Sequence, residues 1–234
     1  MTRPRAFVAW SSGKDAAFAL QRVAMAGEIE VAGLFTTVRR GAGRVAMHGV
    51  REALLEAQAA AIGIPLTKLE IPDPCPNEVY ERALAGLLGP ARERGISQVV
   101  FGDLFLADIR AYREAVLTSL GLTAVFPLWG RDTGRLAREM IASGLAATLV
   151  CVDPARLDRS FAGRGFDGRL LADLPASVDP CGENGEFHTF VTNGPMFAHP
   201  VAAAPGTIID RGGFTYADLV PVARRSPSRR VSRR

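Results

Sequence analysis

The segment Ala6-Phe7-Val8-Ala9-Trp10-Ser11-Ser12-Gly13-Lys14-Asp15 joins an apolar run to a helical pattern through a turn of small residues and one lysine. A strand that ends in such a turn, followed at once by a helix, is where α/β proteins bind phosphate. The amides of a tight turn and the positive dipole end of the helix together form an anion site. A Walker loop is excluded, because Val8 stands where its first glycine belongs and Asp15 follows the lysine. Two readings of the turn then stand side by side. One is a pyrophosphate cradle; the other is an ordinary helix start with a serine cap and Asp15 serving the dipole.

Outward from this turn the chain alternates strand and helix. Residues 15–26 place Phe18, Leu20 and Val23 at helical spacing, with Gly27 as C-cap. Residues 31–38 read as a second strand, 50–62 as a strong helix ended by Gly63, and 66–71 as a third strand. Pro72, Pro74 and Pro76 impose a loop before a helix over 77–95, which Gly89-Pro90 would kink. Residues 99–102 form a short buried strand, 108–120 a helix with Asp108 as N-cap, 123–126 a strand, and Asp132 caps a helix ending at Gly144. Residues 145–152 close the series.

This order predicts an α/β fold with a doubly wound, mostly parallel sheet and a ligand crevice at the strands' carboxyl ends. From Asp153 onward Pro, Gly and Asp interrupt the pattern and the apolar runs shorten, as around 187–192 and 207–209. The expected organisation is therefore a domain over 1–152, a smaller α+β subdomain over 153–222, and a tail over 223–234.

The formal charge of +4 and the pI of 9.3 invite a nucleic-acid reading until the C-terminus is weighed. Residues 224–234 carry six arginines and no carboxylate, and without them the remainder is at −2. The tail is expected to be disordered, and any contact with nucleic acid to run through it. Cys75, Cys151 and Cys181 lack the paired spacing of a disulfide framework or zinc ribbon. That spacing, with no signal-peptide core and no span-length apolar stretch, points to a cytoplasmic protein away from the membrane. Lys14 and Lys68 are the only lysines, so Lys14 stands out as a point charge in an arginine-rich chain.

Winding the sheet outward from the first strand, with the strand over 99–102 beside it, opens the Ser11 turn and Gly102-Asp103 onto one crevice. Arg110 and Arg113 follow there, and a guanidinium fork suits a carboxylate or an α-phosphate; Arg110 also reads as a solvated helix residue. Trp129 reads as core filler. The second informative stretch is Asp179-Pro180-Cys181-Gly182-Glu183-Asn184-Gly185-Glu186-Phe187-His188-Thr189. Two glycines let the backbone turn sharply and present Glu183 and Glu186, which read either as paired carboxylates for proton transfer or Mg²⁺, or as a solvated acidic turn. Cys181 with His188, and His48 beside Gly49, are ambiguous between chemistry and packing.

The opening turn resembles the Ser-Gly-Gly-x-Asp-Ser signature of the N-type ATP pyrophosphatases, with Ser12 in place of a glycine and Ala16 in place of the closing serine. Together with residues 48–66, 99–114, 127–132 and 181–197, it is similar to the diphthamide synthase family, whose characterised members are diphthine ammonia ligases. The resemblance covers about residues 6–197. It implies an adenine nucleotide alpha hydrolase-like (HUP-type) ATP domain with a C-terminal substrate part. The implied reaction activates a carboxylate with ATP, releases pyrophosphate, and lets ammonia displace AMP to form an amide.

Carried over, Trp10, Ser11, Ser12, Gly13, Lys14, Asp15, Gly102 and Asp103 would hold ATP, with Asp15 toward Mg²⁺. Lys14, Asp103, Glu183 and Glu186 would serve catalysis, and Arg113, Gly182, Glu183, Gly185 and Glu186 would line the substrate side. The carboxylate is unidentified, with a protein-borne acid among the candidates. A nucleotide-binding protein without turnover and a tRNA-modifying pyrophosphatase are the alternatives; the acidic body and the absence of a Cys-x-x-Cys pair count against the latter.

Overall fold

A computed structural model describes residues 2–41, 43–45 and 47–222. The basic tail, expected to be disordered, lies outside them.

Strand β1 (Arg5–Ala9) is the centre of the molecule because both of its faces are apolar. Ala6 and Val8 are fully buried in the larger core, with Phe18 and Leu20 of α1 (Lys14–Ala26) and Leu54 and Leu55 of α2 (Glu52–Ile62). Phe7 and Ala9 point the other way, as the two-residue period of a strand requires. They pack against a second cluster built on Leu84 and Leu88 of α3 (Asn77–Glu93) and Leu117 of α4 (Ala107–Ser119). Helices thus cover both faces of the sheet.

Four more strands complete the parallel array: β2 (Glu30–Arg39), β4 (Leu66–Ile71), β5 (Ile96–Val100) and β6 (Thr123–Val125). They stand in the order β4-β2-β1-β5-β6, and the short β3 (Arg44–Val45) lies antiparallel on β2. The strand order reverses at β1, so the crevice between the carboxyl ends of β1 and β5 is the expected ligand position. The expected doubly wound sheet is present. Asp132 caps α5 (Thr133–Ala142) by accepting the Arg135 N–H, and Gly27 and Gly63 end α1 and α2 in left-handed conformation. Leu106, not Asp108, occupies the N-cap of α4, and Asp108 sits in its first turn.

One placement differs from the sequence reading. Strand β7 (Ala146–Val152), expected to end the parallel series, belongs to a second, antiparallel sheet of order β8-β7-β10-β9. A continuous apolar strand is written the same way whether its neighbours run parallel or antiparallel. What distinguishes β7 is the chain that follows it, through a 3₁₀ turn (Arg159–Phe161) and α6 (Gly168–Asp173) to β8 (Phe187–Asn193), β9 (Ala203–Arg211) and β10 (Phe214–Pro221). Gly212 and Gly213, both at positive φ, turn β9 into β10, a Gly-Gly hairpin turn. Leu149, Val150 and Val152 enter the same core as Val8 and Trp10, so the two sheets share one apolar interior.

Candidate functional site

The turn after β1 is held in place by the second sheet. Ser12 O accepts the Val191 N–H of β8 at 3.0 Å, and Lys14 N–H donates to Thr189 Oγ1 at 3.0 Å. Gln58, fully buried on α2, joins the parts: its Oε1 accepts the Trp10 indole N–H at 3.0 Å, and its Nε2 donates to Ser12 O and Val191 O. A glutamine on the apolar face of a helix was a legible sign of such a role, since buried amides are retained where their bonds are met. Ser12 adopts φ 72°, in the left-handed region, and its buried hydroxyl has no partner among the described residues. Gly102 is where β5 meets this turn. A Cβ on it would lie 2.7 Å from the Asp15 carbonyl carbon and 2.8 Å from the Ala16 nitrogen.

At the switch point opens a cleft of about 330 Å³. Thr36 and Thr37 line it on the β2 side, Ser11, Asp15 and Ala16 at the turn, and Gly102, Asp103 and Arg113 on the β5 side. Glu183 enters from the second unit, with Oε1 accepting the Leu104 N–H at 2.7 Å. Asp103 and Arg113 are ion-paired at 3.0 Å, and the Arg113 guanidinium lies 4.4 Å from the Phe101 ring centroid. Tyr80, marked by no motif or spacing, also lines the cleft.

Burial, opposed in part by the Leu104 amide and reinforced by Asp15 and Asp103, raises the Glu183 pKa to about 7. His48 and His188 stack at 4.5 Å between centroids beside Ser11, and Thr189 O lies 3.3 Å from His48 Nδ1. Burial lowers both imidazoles, His188 to about 4 with the Lys14 charge adding to it, so the pair is uncharged at neutral pH.

Not every candidate reaches the cleft. The ammonium of Lys14 is 2% exposed and points into the junction between the units, donating to Asp15 at 2.8 Å and to Cys181 O, between the rings of Phe166 and Phe187. Burial is the largest influence and opposes its charge, but Asp15, with Cys181 and Glu183, together hold its pKa above the ordinary lysine value. Glu186 turns inward. Its Oε1 accepts Asp179 N–H at 3.0 Å and Asn184 Nδ2 at 3.1 Å, so it closes the loop that presents Glu183.

Gly182, at φ 70°, has its Cβ position 2.9 Å from Phe187 O, and Gly185 is at φ 89°; both shape that loop without lining the cleft. Cys181 is buried with its thiol on Thr133 O, and burial pushes its pKa up, which leaves it inert. Arg110 is engaged elsewhere, with Glu114 and over the Phe126 and Trp129 rings. Among the described residues no group of three or more His, Cys, Asp or Glu is placed to hold a metal, and no helix is long and apolar enough to cross a membrane.

The model of the diphthamide synthase N-terminal domain matches residues 4–124, and that of the diphthamide synthase C-terminal domain matches residues 132–207. The chain belongs to the diphthamide synthase family. Among curated proteins it is similar to the diphthine–ammonia ligases of Schizosaccharomyces pombe (31% identity over 119 residues, 49% of this chain and 20% of that protein) and Homo sapiens (27% over 149 residues, 61% and 54%). That of Danio rerio is 30% identical over 161 residues, 59% of this chain and 60% of that protein. The chain thus spans between a fifth and three fifths of the length of these relatives. The matches divide the cleft between them: the turn after β1 and Leu104 lie in the first matched region, the loop carrying Glu183 lies in the second, and Glu183 bonds Leu104 across the two.

Proposed function

We propose that this protein is an ATP-dependent, adenylate-forming amide ligase that converts a carboxylate, ammonia and ATP to an amide, AMP and pyrophosphate. The observation that carries the reading is Glu183. A carboxylate from the C-terminal unit projects into a nucleotide-sized cleft at the switch point of the parallel sheet, where its pKa of about 7 suits proton transfer at neutral pH.

ATP, as substrate, would lie with its phosphates at Ser11, Gly13 and the amino end of α1, and with its α-phosphate toward Asp103, Arg113 and Glu183. Gly102 supports this, since it lines the cleft and lets β5 pack against the first turn of α1, where a Cβ would fall 2.7 Å from the Asp15 carbonyl carbon. The carboxylate oxygen attacks the α-phosphorus and pyrophosphate leaves. Ammonia then adds to the acyl carbon, AMP departs, and ionised Glu183 takes the proton that the nitrogen sheds. Asp15 is the residue proposed to meet Mg²⁺. The ion, when bound with the phosphates, would neutralise charge on the departing pyrophosphate.

Lys14 and Glu186 act in this reading by positioning, the first through Asp15 and the second through the loop. The proposed division of labour sets residues 1–152 on ATP and 153–222 on the acid, in a cytoplasmic setting that three free cysteines support.

One observation favours a second reading, binding without turnover: Ala16 lines the cleft where related turns carry a hydroxyl. Incubation with ATP, Mg²⁺, ammonium and a panel of carboxylates separates the two. Equal yields of AMP and pyrophosphate, dependent on the acid, are expected. ATP binding with no AMP from any acid would select the second reading, and ADP with phosphate would sink both.

A further inference from the structure

Among the described residues, no permanent cation stands at the phosphate end of the cleft. Lys14 is turned into the junction between the units, and Arg113, the one arginine that lines the cleft, stands on the β5 side in its pair with Asp103. What stands at the turn instead is the His48–His188 stack. A Cβ on Gly13 would lie 3.1 Å from His48 Cε1 and 3.3 Å from Ser11 Oγ. The His48 ring therefore rests against the residue on which the phosphates are proposed to lie.

Hydrogen bonding fixes the tautomer of that ring. The Thr189 carbonyl, 3.3 Å away, can only accept, so His48 Nδ1 carries the hydrogen and Nε2 is left with a lone pair. A lone pair beside a phosphate oxygen is repelled, whereas a charged N–H there is a strong donor. Within the protein itself a second hydrogen on His48 is opposed chiefly by burial, then by His188 and the Lys14 charge, with only the Thr189 carbonyl in its favour. The other charged groups of the cleft offset one another in part: Asp15 is paired with Lys14 and Asp103 with Arg113, which leaves Glu183, while Arg39 and Arg211 line the space behind His188. A triphosphate on the turn reverses the balance, because several negative charges would then lie against the imidazole.

Resting on the proposed ligase reading, we infer that His48 takes up one proton when the triphosphate binds, and that the imidazolium so formed donates to the departing pyrophosphate. The proton comes from solvent as ATP enters. When the oxygen of the acid attacks the α-phosphorus, the bond to the α,β-bridging oxygen breaks and its electron pair stays on pyrophosphate. The Nε2 proton passes to that anion as it leaves, which returns His48 to its neutral form. Stacking at 4.5 Å allows one charge on the imidazole pair and not two, since like charges so close repel, so His188 is the partner that stays neutral.

The chain contains three histidines, and His199 is not among the residues that line the cleft, so NMR of the full chain carrying isotope-labelled histidine can follow each imidazole separately. The probes are inorganic pyrophosphate and an ATP analogue with a methylene group in place of the α,β-bridging oxygen, each added with Mg²⁺ near neutral pH. Both His48 nitrogens are expected to move to imidazolium positions on binding, with His199 unmoved. Calorimetry of the analogue in buffers of different ionisation heat should read an uptake of about one proton. Glu183→Gln should keep most of that uptake, and His48→Asn should lose it.

Either probe bound with His48 still neutral would overturn the inference. So would an uptake that vanishes in Glu183→Gln and persists in His48→Asn, which would place the proton on the carboxylate. Pyrophosphate that protonates His48 while the ATP analogue fails to bind would count against the ligase reading and leave the imidazole assignment standing. Failure of both probes to bind would overturn both.

Discussion

Glu183 Oε1 accepts the backbone N–H of Leu104 at 2.7 Å across 79 residues of chain, and this bond brings a carboxylate of one unit into the switch-point cleft of the other. A bond to an ionised acceptor contributes about 1.5–3 kcal/mol, enough to bias how the loop sits but not to hold two units together. The shared apolar core supplies the rest.

The protonation of Glu183 should be visible in both stability and rate. Its pKa rises from 4.5 to about 7 on folding, so between those values the folded protein keeps a proton that the unfolded chain has released. Its contribution to stability is complete below pH 4.5 and is lost as the pH climbs through 7. Glu183→Gln should flatten denaturation midpoints across that window. It should also remove an ascending limb near pH 7 from kcat/KM for amide formation.

Ser12→Gly should stabilise the protein. The left-handed conformation costs an L-residue about 1–2 kcal/mol, and glycine returns roughly 0.5–1 kcal/mol of that through unfolded-state entropy. The substitution also removes a buried hydroxyl without a partner. A net gain of about 1 kcal/mol, seen as a rise of roughly 2–4 °C in Tm, is expected with ATP affinity unchanged. A fall in Tm would show that the hydroxyl is satisfied in solution.

Lys14→Met should act first on folding. Removing one member of a buried ion pair costs about 3–5 kcal/mol, and the partial exposure of Asp15 reduces this to about 2–4 kcal/mol. Lys14→Arg should not restore it, because the larger guanidinium does not fit between Phe166 and Phe187. Urea denaturation gives the answer. Unchanged stability with a large loss of ATP affinity would mean that the ammonium leaves its buried seat to meet phosphate.

Gly102→Ala should displace the start of α1, since its new methyl group would meet backbone that cannot rotate away. A cost of about 1–3 kcal/mol is expected, with ATP binding weakened at least tenfold by calorimetry. Wild-type affinity in this variant would remove Gly102 from the site.

The parallel half of the fold was legible because its signals are local. Gly27 and Gly63 end helices where no side chain can take the left-handed turn cheaply, and Asp132 caps α5 through a carboxylate three residues from its donor. Strand β7 was misplaced because direction of pairing leaves no mark on an apolar run. The acidic loop was half legible. Spacing marked Glu183 and Glu186 alike, yet only contacts from Leu104 on one side and Asp179 on the other separate a cleft residue from a loop clasp.

From the order of its residues alone, this chain already specifies a phosphate-type turn after its first strand, a doubly wound sheet, and two glutamates in a glycine-framed loop. Periodicity, caps and turn residues act over a few positions, so they can be read in a line. Folding in three dimensions decides where the ammonium of Lys14 points, which glutamate faces the cleft, and that Gln58 ties Trp10 and Ser12 to Val191. Those outcomes depend on groups brought together from distant positions, where burial and bond satisfaction select among orientations that the local chain leaves equally open.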